Sequence, residues 1–493
     1  MNKSYKERWF ILALCLLAAI RVFVYAAAFP FFGNVEEWTH FDLVMKYSHG
    51  HVPRSIETVS PEAATYIATY SSPEYFKKQE NFPDKRVPTP LWKQDQKQVQ
   101  PAIDKGIAFW SSAVNYEATQ PPLYYMAAGL WTRIGALSGL RGAWLLYWIR
   151  FLNILLAAAL VWIAYKAASG LFPDKRFVTM GVAMLAAFVP QDAFYTIQND
   201  VLSPVCFGLA FIGLTGFMRA GVPGRKLSIL TGLAIAATVL VKTSNLALLA
   251  VVFVFLLFRI YRLIKTRTFK QAVPSLVWFA VCMLTPVFIW FAWNLSNSLD
   301  ITASEGKVLF FGWTHKYLVD YFHHPIFTLR GVWLYWALLM TGLWRGELVW
   351  SFAQLGMPQV DIFYWASSFI LLIVAAIFIH RSPDPLQRGM NRMALWSFLS
   401  LIFFLIVLSL SFNFGACFYP SQTYPYFAAG RLISAALIPF LVLYVQGFNR
   451  ILFWIKSERI RFFILVAIVI AITLTEIIIS SPVFSSSYNF YHL

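Results

Sequence analysis

Residues 9–29 read Trp9-Phe-Ile-Leu-Ala-Leu-Cys15-Leu-Leu-Ala-Ala-Ile-Arg21-Val-Phe-Val-Tyr25-Ala-Ala-Ala-Phe29, and Phe32-Gly-Asn-Val-Glu36-Glu37-Trp-Thr-His40-Phe-Asp42 follows almost at once. The first stretch is about twenty residues of nearly unbroken apolar sequence, long enough for a helix to cross roughly 30 Å of hydrocarbon. No small-residue cleavage site precedes Pro30, so the run is expected to remain as a membrane helix and not to be removed as a signal peptide. Three carboxylates and a histidine then sit on a short tether at the membrane surface.

The rest of the 493 residues repeats the first part of that pattern. The chain is 59% hydrophobic and 18% aromatic but only 13% charged, with mean hydropathy +0.61. A soluble domain carries about 25% charged residues, so a soluble enzyme, a disordered chain and a disulfide-stapled secreted fold are all excluded. Eleven apolar runs are expected to span: Trp9–Phe29, Ala143–Tyr165, Phe177–Pro190, Val201–Met218, Leu227–Val241, Leu246–Phe258, Ala272–Asn294, Ile362–Ile379, Met393–Phe412, Leu432–Phe448 and Phe462–Ser480. The fold class is therefore an all-α polytopic membrane protein of about eleven helices. Thirteen is the alternative if the apolar stretch Leu329–Trp344 contributes an extra pair. Cys15, Cys206, Cys282 and Cys417 show no paired spacing and suggest neither a zinc site nor a disulfide framework.

Charge sets the orientation. With the amino terminus inside, the inner loops and helix flanks hold 21 lysines and arginines against four acids, whereas everything else carries 19 of each sign. The whole net charge of +17 thus lies on one face, as the positive-inside rule requires for an inner amino end and an outer carboxyl end. These basic groups are short helix flanks, so nucleic-acid binding has no support.

Two outer segments are long, 30–142 and about 295–361, and such loops usually carry function. From Glu37 to His49 the apolar residues Trp38, Phe41, Val44 and Met45 recur at helical spacing, so a helix lying flat on the membrane with its acids upward is expected. Pro121 and Pro122 open another short helix, running to about Ala136, expected to lie flat or re-enter on the outer side. Between the two, Pro53–Ile107 is polar and reads as a mobile lid or acceptor loop without a firm fold. Leu329–Trp344 reads as a further membrane-lying helix, rich in the Trp and Tyr expected at an interface.

Four motifs in this order resemble those of GT-C glycosyltransferases: Asn34-Val-Glu36-Glu37-Trp-Thr-His40-Phe-Asp42 with Gly50-His-Val-Pro53; Gln120-Pro-Pro-Leu-Tyr124-Tyr125; Pro190-Gln-Asp192 through Asn199-Asp200; and Phe427-Ala-Ala-Gly430-Arg431-Leu with Pro439. The family, which includes protein O-mannosyltransferases, aminoarabinose transferases of lipid A and mycobacterial arabinosyltransferases, usually has Asp where this chain has Glu36. It usually has Tyr after the arginine, where this chain has Leu432. The resemblance implies transfer of a sugar from a polyprenyl-phosphate donor to a glycan, lipid or protein acceptor, outside the cytoplasmic (inner) membrane. It divides the chain into a catalytic membrane module (1–298), the second long loop (299–361) and C-terminal membrane helices (362–493).

That chemistry needs a base for the acceptor hydroxyl and cations for the departing phosphate. A positioned carboxylate contributes about 10²–10⁴-fold; Glu36 is the first candidate and Glu37 the second. Arg431, Lys242, Arg345 and Arg150 are the candidate phosphate partners, since a charge near membrane depth is costly and usually functional or paired. Snorkelling is the alternative for Lys242 and Arg431, and pairing with a core acid is the alternative for Arg150. His40, Asp192, Asp200, Gln120 and Tyr124 are candidate substrate-binding residues, although Asp200 also suits a helix cap. A divalent cation is possible, but no ligand set is legible. A flippase for a lipid-linked sugar would instead bury ionisable groups deep in several helices. A polyprenyl-diphosphate-dependent polymerase or ligase would lack the acidic pair directly after the first helix.

Overall fold

The structure, a computed structural model, describes residues 3–33, 36–297, 299–381, 384–415 and 420–493. Asn34, Val35 and Cys417 lie outside the described residues. The first seven α-helices are α1 (Lys3–Ala28), α2 (Glu37–Ser48), α3 (Pro61–Tyr70), α4 (Gln96–Ser112), α5 (Leu123–Leu137), α6 (Gly142–Leu171) and α7 (Arg176–Phe188). Next come α8 (Ser203–Arg219), α9 (Arg225–Val241), α10 (Ala247–Lys265), α11 (Phe269–Ser296), α12 (Glu305–Phe310) and α13 (Leu329–Arg345). The last four are α14 (Pro358–His380), α15 (Pro385–Ser411), α16 (Leu437–Ile451) and α17 (Glu458–Phe484). The strands among the described residues are two-residue ladders. The chain is an all-α polytopic membrane protein.

Side-chain contacts identify the two ends of the bundle. At one end Tyr165 donates to Glu7 (3.1 Å), Arg259 donates to the Gly221 carbonyl (2.8 Å) and Gln387 reaches the Leu171 carbonyl. These are the segments expected to share the basic face. At the other end Glu36, Asp200, Lys242, Lys307, Glu347 and Arg431 form one cluster. The C-terminal tail closes over the same end, where Tyr488 donates to the Pro88 carbonyl (3.0 Å). Helices α6/α7, α8/α9, α10/α11, α14/α15 and α16/α17 are therefore out-and-back pairs. With α1 they make eleven helices that run between the two ends among the described residues.

Nine helices are long and apolar enough to cross a membrane among the described residues. The two short passes are α7, at 13 residues, and α9, at 17. Thirteen residues extend only about 20 Å. Helix α7 is surrounded by α1, α6, α16 and α17, and Phe177 to Ala187 are all buried. A short helix with irregular ends is tolerated at membrane depth when protein, not lipid, surrounds it. By contrast α10, α11 and α17 present Phe253, Val254, Phe288, Ile289, Leu474 and Ile478 outward. Helix α13 adds no pass: Lys307 before it and Glu347 after it meet in the same cluster, and no second long helix lies between them among the described residues to make up an extra pair.

Two expectations are corrected. Helix α2 does not lie flat with one face in lipid. It is enclosed by α3 and α5, and all its residues except Trp38 and Tyr47 are buried. Its polar groups are satisfied inside the protein: Asp42 pairs with Lys46 (3.0 Å) and accepts from the Ser60 amide and the Asn115 side chain, both at 2.8 Å. The polar stretch 53–107 also has a fold. Ser60 caps α3 and Asp95 caps α4, and the two helices pack together. Val99 and Ile103 are buried on α4, as are Ala63, Ala64 and Ile67 on α3. The apolar spacing on α4 was sparse enough to be hidden among its lysines and glutamines.

Candidate functional site

The two adjacent glutamates after α1 face different surroundings. Glu37 opens α2 and is 1% exposed. Its carboxylate takes a bidentate grip from Arg150 on α6 (2.7 and 2.8 Å) and accepts from the backbone amides of Phe32 and Ile197, each at 2.9 Å. Arg150 also donates to the carbonyls of Ala26, Phe29 and Pro30. This ion pair ties together the end of α1, the α1–α2 connection, α6 and the 189–202 segment. Both partners are consumed, so the expected roles of Glu37 as a second catalytic acid and Arg150 as a phosphate ligand are replaced by a structural pin.

Glu36 sits one residue earlier, at the N-cap of α2, with φ 60° in the left-handed region. A glutamate there is strained, a condition usually tolerated where the surroundings demand it. Its carboxylate is held by Arg431 at 2.5 Å and lies beside Tyr116 and Lys307. Arg431 enters from the 3₁₀ turn Gly430–Ala436 that leads into α16. Gly430 makes this approach possible, because a Cβ there would collide with the α13 backbone at Gly342 and Leu343.

Arg431 is the hub of the cluster. Asp200 lies 3.6 Å away, Glu347 3.8 Å, and the Gln198 side chain accepts at 3.4 Å. Lys242, just past the end of α9, pairs with Asp200 at 2.5 Å. Lys307 on α12 pairs with Glu117, which also accepts from Gln120. Several buried polar atoms here have no hydrogen-bond partner: Arg431 Nε, Asp200 Oδ2, His40 Nε2 and Gln120 Oε1. Buried polar groups are usually hydrogen-bonded, so each of these four retains capacity for a further ligand.

Electrostatics separates the acids. Burial alone would raise the Glu36 carboxyl, but Arg431 and Lys307 outweigh it and hold it well below the usual carboxylate range. Glu347 is pushed up to about 7, because burial outweighs the attraction of Arg431. His40 is driven down to about 3, by burial first, with Lys242 and Arg431 adding to it against Glu36. It is therefore a neutral imidazole; its Nδ1 meets the Tyr125 hydroxyl at 2.7 Å.

Sequence reasoning placed Glu36, Arg431, Lys242, Asp200, His40 and Gln120 in one site, and they are brought together. Asp192 stands just behind it. Its carboxylate accepts from the amides of Glu347 (2.6 Å) and Leu348 (2.8 Å) and so fixes the Glu347 loop, and burial raises it to about 6. Gly346, at φ 81°, leaves room for that carboxylate, which a Cβ would strike. Tyr124 is buried against the Gln198 backbone. Arg345 does not join the cluster: it pairs with Asp361 at 2.7 Å and donates to the Leu355 carbonyl. Glu347, Lys307, Glu117 and Tyr116 were missed. Glu117 lies three residues before Gln120, a spacing that was legible; Glu347 and Lys307 carry no local signal. Among the described residues no three His, Cys, Asp or Glu side chains converge as a metal-ligand set.

No curated protein matches the chain in sequence. Three solved structures of the oligosaccharyltransferase of Archaeoglobus fulgidus are similar to it, each at 11% identity and a TM-score of 0.44. One, with zinc and sulfate, aligns with 96% of this chain and 53% of its own. A second, of AglB with an inhibitory peptide and a dolichol-phosphate, aligns over 97% and 56%. The third, tethered to an acceptor peptide, aligns over 99% and 56%. The chain thus spans about half the length of these structures. Residues 19–418 match the family described as predicted membrane protein DUF2142, and the chain belongs to that family.

Proposed function

We propose that this protein is a membrane glycosyltransferase that moves a sugar from a polyprenyl-phosphate donor to an acceptor hydroxyl, with Glu36 as the general base. The observation that carries the reading is the Glu36–Arg431 contact: a strained carboxylate and a guanidinium hub meet at one end of the bundle, beside Lys242 and Lys307. The four GT-C-like motifs supply the same residues in the same order.

The reaction follows from the groups present. The acceptor hydroxyl attacks the anomeric carbon, the bond from that carbon to the phosphate oxygen breaks, and the polyprenyl phosphate leaves with the electron pair. One displacement inverts the configuration. Arg431 suits the phosphate through its planar fork, and Lys242 through its point charge. Glu36 takes the hydroxyl proton. In the resting site Arg431 depresses its basicity; a donor phosphate competing for Arg431 relaxes that hold and turns Glu36 into a better base when the donor is in place. His40 Nε2 and Gln120 Oε1, both lacking partners, are assigned to sugar or acceptor hydroxyls, and Asp200 to the charge balance of the phosphate site. Asp192 and Tyr124 position the loops around them.

The basic flanks at the opposite end support a cytoplasmic position for that end and, with it, a site on the outer face of the cytoplasmic membrane. The test is the purified protein in lipid with a panel of polyprenyl-phosphate sugars. Wild type is expected to release polyprenyl phosphate, and Glu36→Gln to bind the donor without releasing it. Normal turnover by Glu36→Gln overturns the assignment. Movement of intact donor across the bilayer without release indicates a flippase instead.

A further inference from the structure

Ahead of α13 lies a segment that is apolar where a water-facing loop should be polar. Tyr317 is 83% exposed, Leu318 75%, Val319 72% and Phe322 81%. Tyr317 caps, and the other three lie in, one short 3₁₀ stretch, Leu318–His323, in which no residue is buried. Phe327 and Leu329 extend the exposed apolar surface toward α13. Side chains of this size turned outward together form a patch that marks a contact with a partner or a membrane.

The depth of this patch is fixed by a second observation. Thr314–His315 pairs antiparallel with Phe412–Asn413, the two residues directly after α15. The Lys316 amide donates to the Ser411 carbonyl, the last residue of α15. The His324 ring contacts the Pro425 carbonyl at 2.9 Å. Helix α15 is long and apolar enough to cross a membrane, so the segment is strapped to the point where a spanning helix leaves the bilayer. The adjoining helices also turn apolar side chains outward: Phe403 and Val407 on α15, and Val332 and Trp333 on α13, are exposed. Aromatic and aliphatic side chains at this level, flanked by Lys316 and Arg330, match a headgroup-level anchor.

We infer that residues 314–329 form a wedge that inserts Tyr317, Leu318, Val319 and Phe322 into the interfacial layer of the bilayer. Its partner is the lipid surface, not a second protein. Helix α12 directly precedes the segment, and its Lys307 pairs with Glu117 at the cluster, so the wedge fixes one wall of that cluster at a set height above the hydrocarbon. The inference rests on exposure and on the strap to α15, and it stands whether or not Glu36 is a base.

The test uses wild-type protein in phosphatidylcholine vesicles containing a phospholipid with a photoactivatable carbene source near its headgroup. Adducts are expected within 314–329 at a yield comparable to the exposed faces of α13 and α15. Labelling of those helices with none in 314–329 overturns the inference. A second measurement uses single cysteines at Leu318 and Phe322, after Cys15, Cys206, Cys282 and Cys417 are replaced by serine, each labelled with an environment-sensitive dye. Lipid nitroxide is expected to quench both several-fold more than aqueous iodide does, and the reverse is expected for Glu80→Cys in the polar loop. Iodide-dominated quenching at 318 and 322, or shielding from both quenchers, as a protein partner would produce, counts against the wedge.

Discussion

Glu36–Arg431 and Glu37–Arg150 are two glutamate–arginine pairs that begin one residue apart, yet they do opposite things. In the Glu37 pair both side chains are essentially sealed, at 1% and 0% exposure, and the surrounding backbone saturates them. In the Glu36 pair the side chains keep 24% and 13% of their surface, and the arginine retains an unpartnered Nε. A saturated ion pair has nothing left to offer a substrate and serves to define geometry. A pair that is strained, half-open and under-satisfied has capacity for another ligand.

The largest expected effect breaks the sealed pair. Removing one partner of a buried ion pair costs about 3–5 kcal/mol, because the other charge is left uncompensated. Arg150→Ala is therefore expected to lower the unfolding midpoint in detergent sharply or to abolish stable expression. The double change Glu37→Gln with Arg150→Met should recover part of the loss. If Arg150→Ala unfolds like wild type, the pair is no pin.

Glu36→Gln comes next. Transfer should fall by about 10²–10⁴-fold, the range for loss of a general base, while the unfolding midpoint stays near that of wild type. A loss of stability comparable to that of Arg150→Ala would make the two pairs equivalent and end the contrast. Arg431→Lys keeps the charge but loses the fork. Loss of one charge-assisted hydrogen bond corresponds to about a tenfold rise in donor KM, with a smaller change in kcat; unchanged donor kinetics would mean that the guanidinium only snorkels.

The smallest effect is in pH dependence. Glu347 has its folded pKa raised from 4.5 to about 7. Between those values the folded chain holds a proton that the unfolded chain has lost, so stability falls as pH rises through that window and levels off above it. For a chain of this length the shift is on the order of a degree or two in Tm. Comparing Tm from pH 5 to 8 in wild type and Glu347→Gln should show a smaller slope in the variant, where only the contribution of Asp192 remains. An unchanged slope in the variant would mean that Glu347 does not contribute and would leave Asp192, raised to about 6, as its source.

Much of the molecule was legible before any coordinates. All eleven apolar runs coincide with helices, because twenty apolar residues have few other options in a bilayer. The basic flanks collect at one end and the Glu36, Asp200, Lys242 and Arg431 segments at the other. Where reading failed, the missing information was non-local. The stripe Trp38, Phe41, Val44 and Met45 is the same whether lipid or protein covers it, and only the presence of α3 and α5 decided for protein. Lys307 and Glu347 look like ordinary loop charges until the fold brings them to Arg431.

What the sequence determined alone was the all-helical membrane architecture and the end at which the conspicuous acids and cations gather. Those follow from hydropathy and charge, which act residue by residue along the chain. What the tertiary structure alone decided was which of two adjacent glutamates remains available. That choice depends on Arg150 and Arg431, more than 100 and almost 400 residues away. The neutralisation of a buried charge depends on whichever partner the fold delivers to it, and no local pattern encodes that partner.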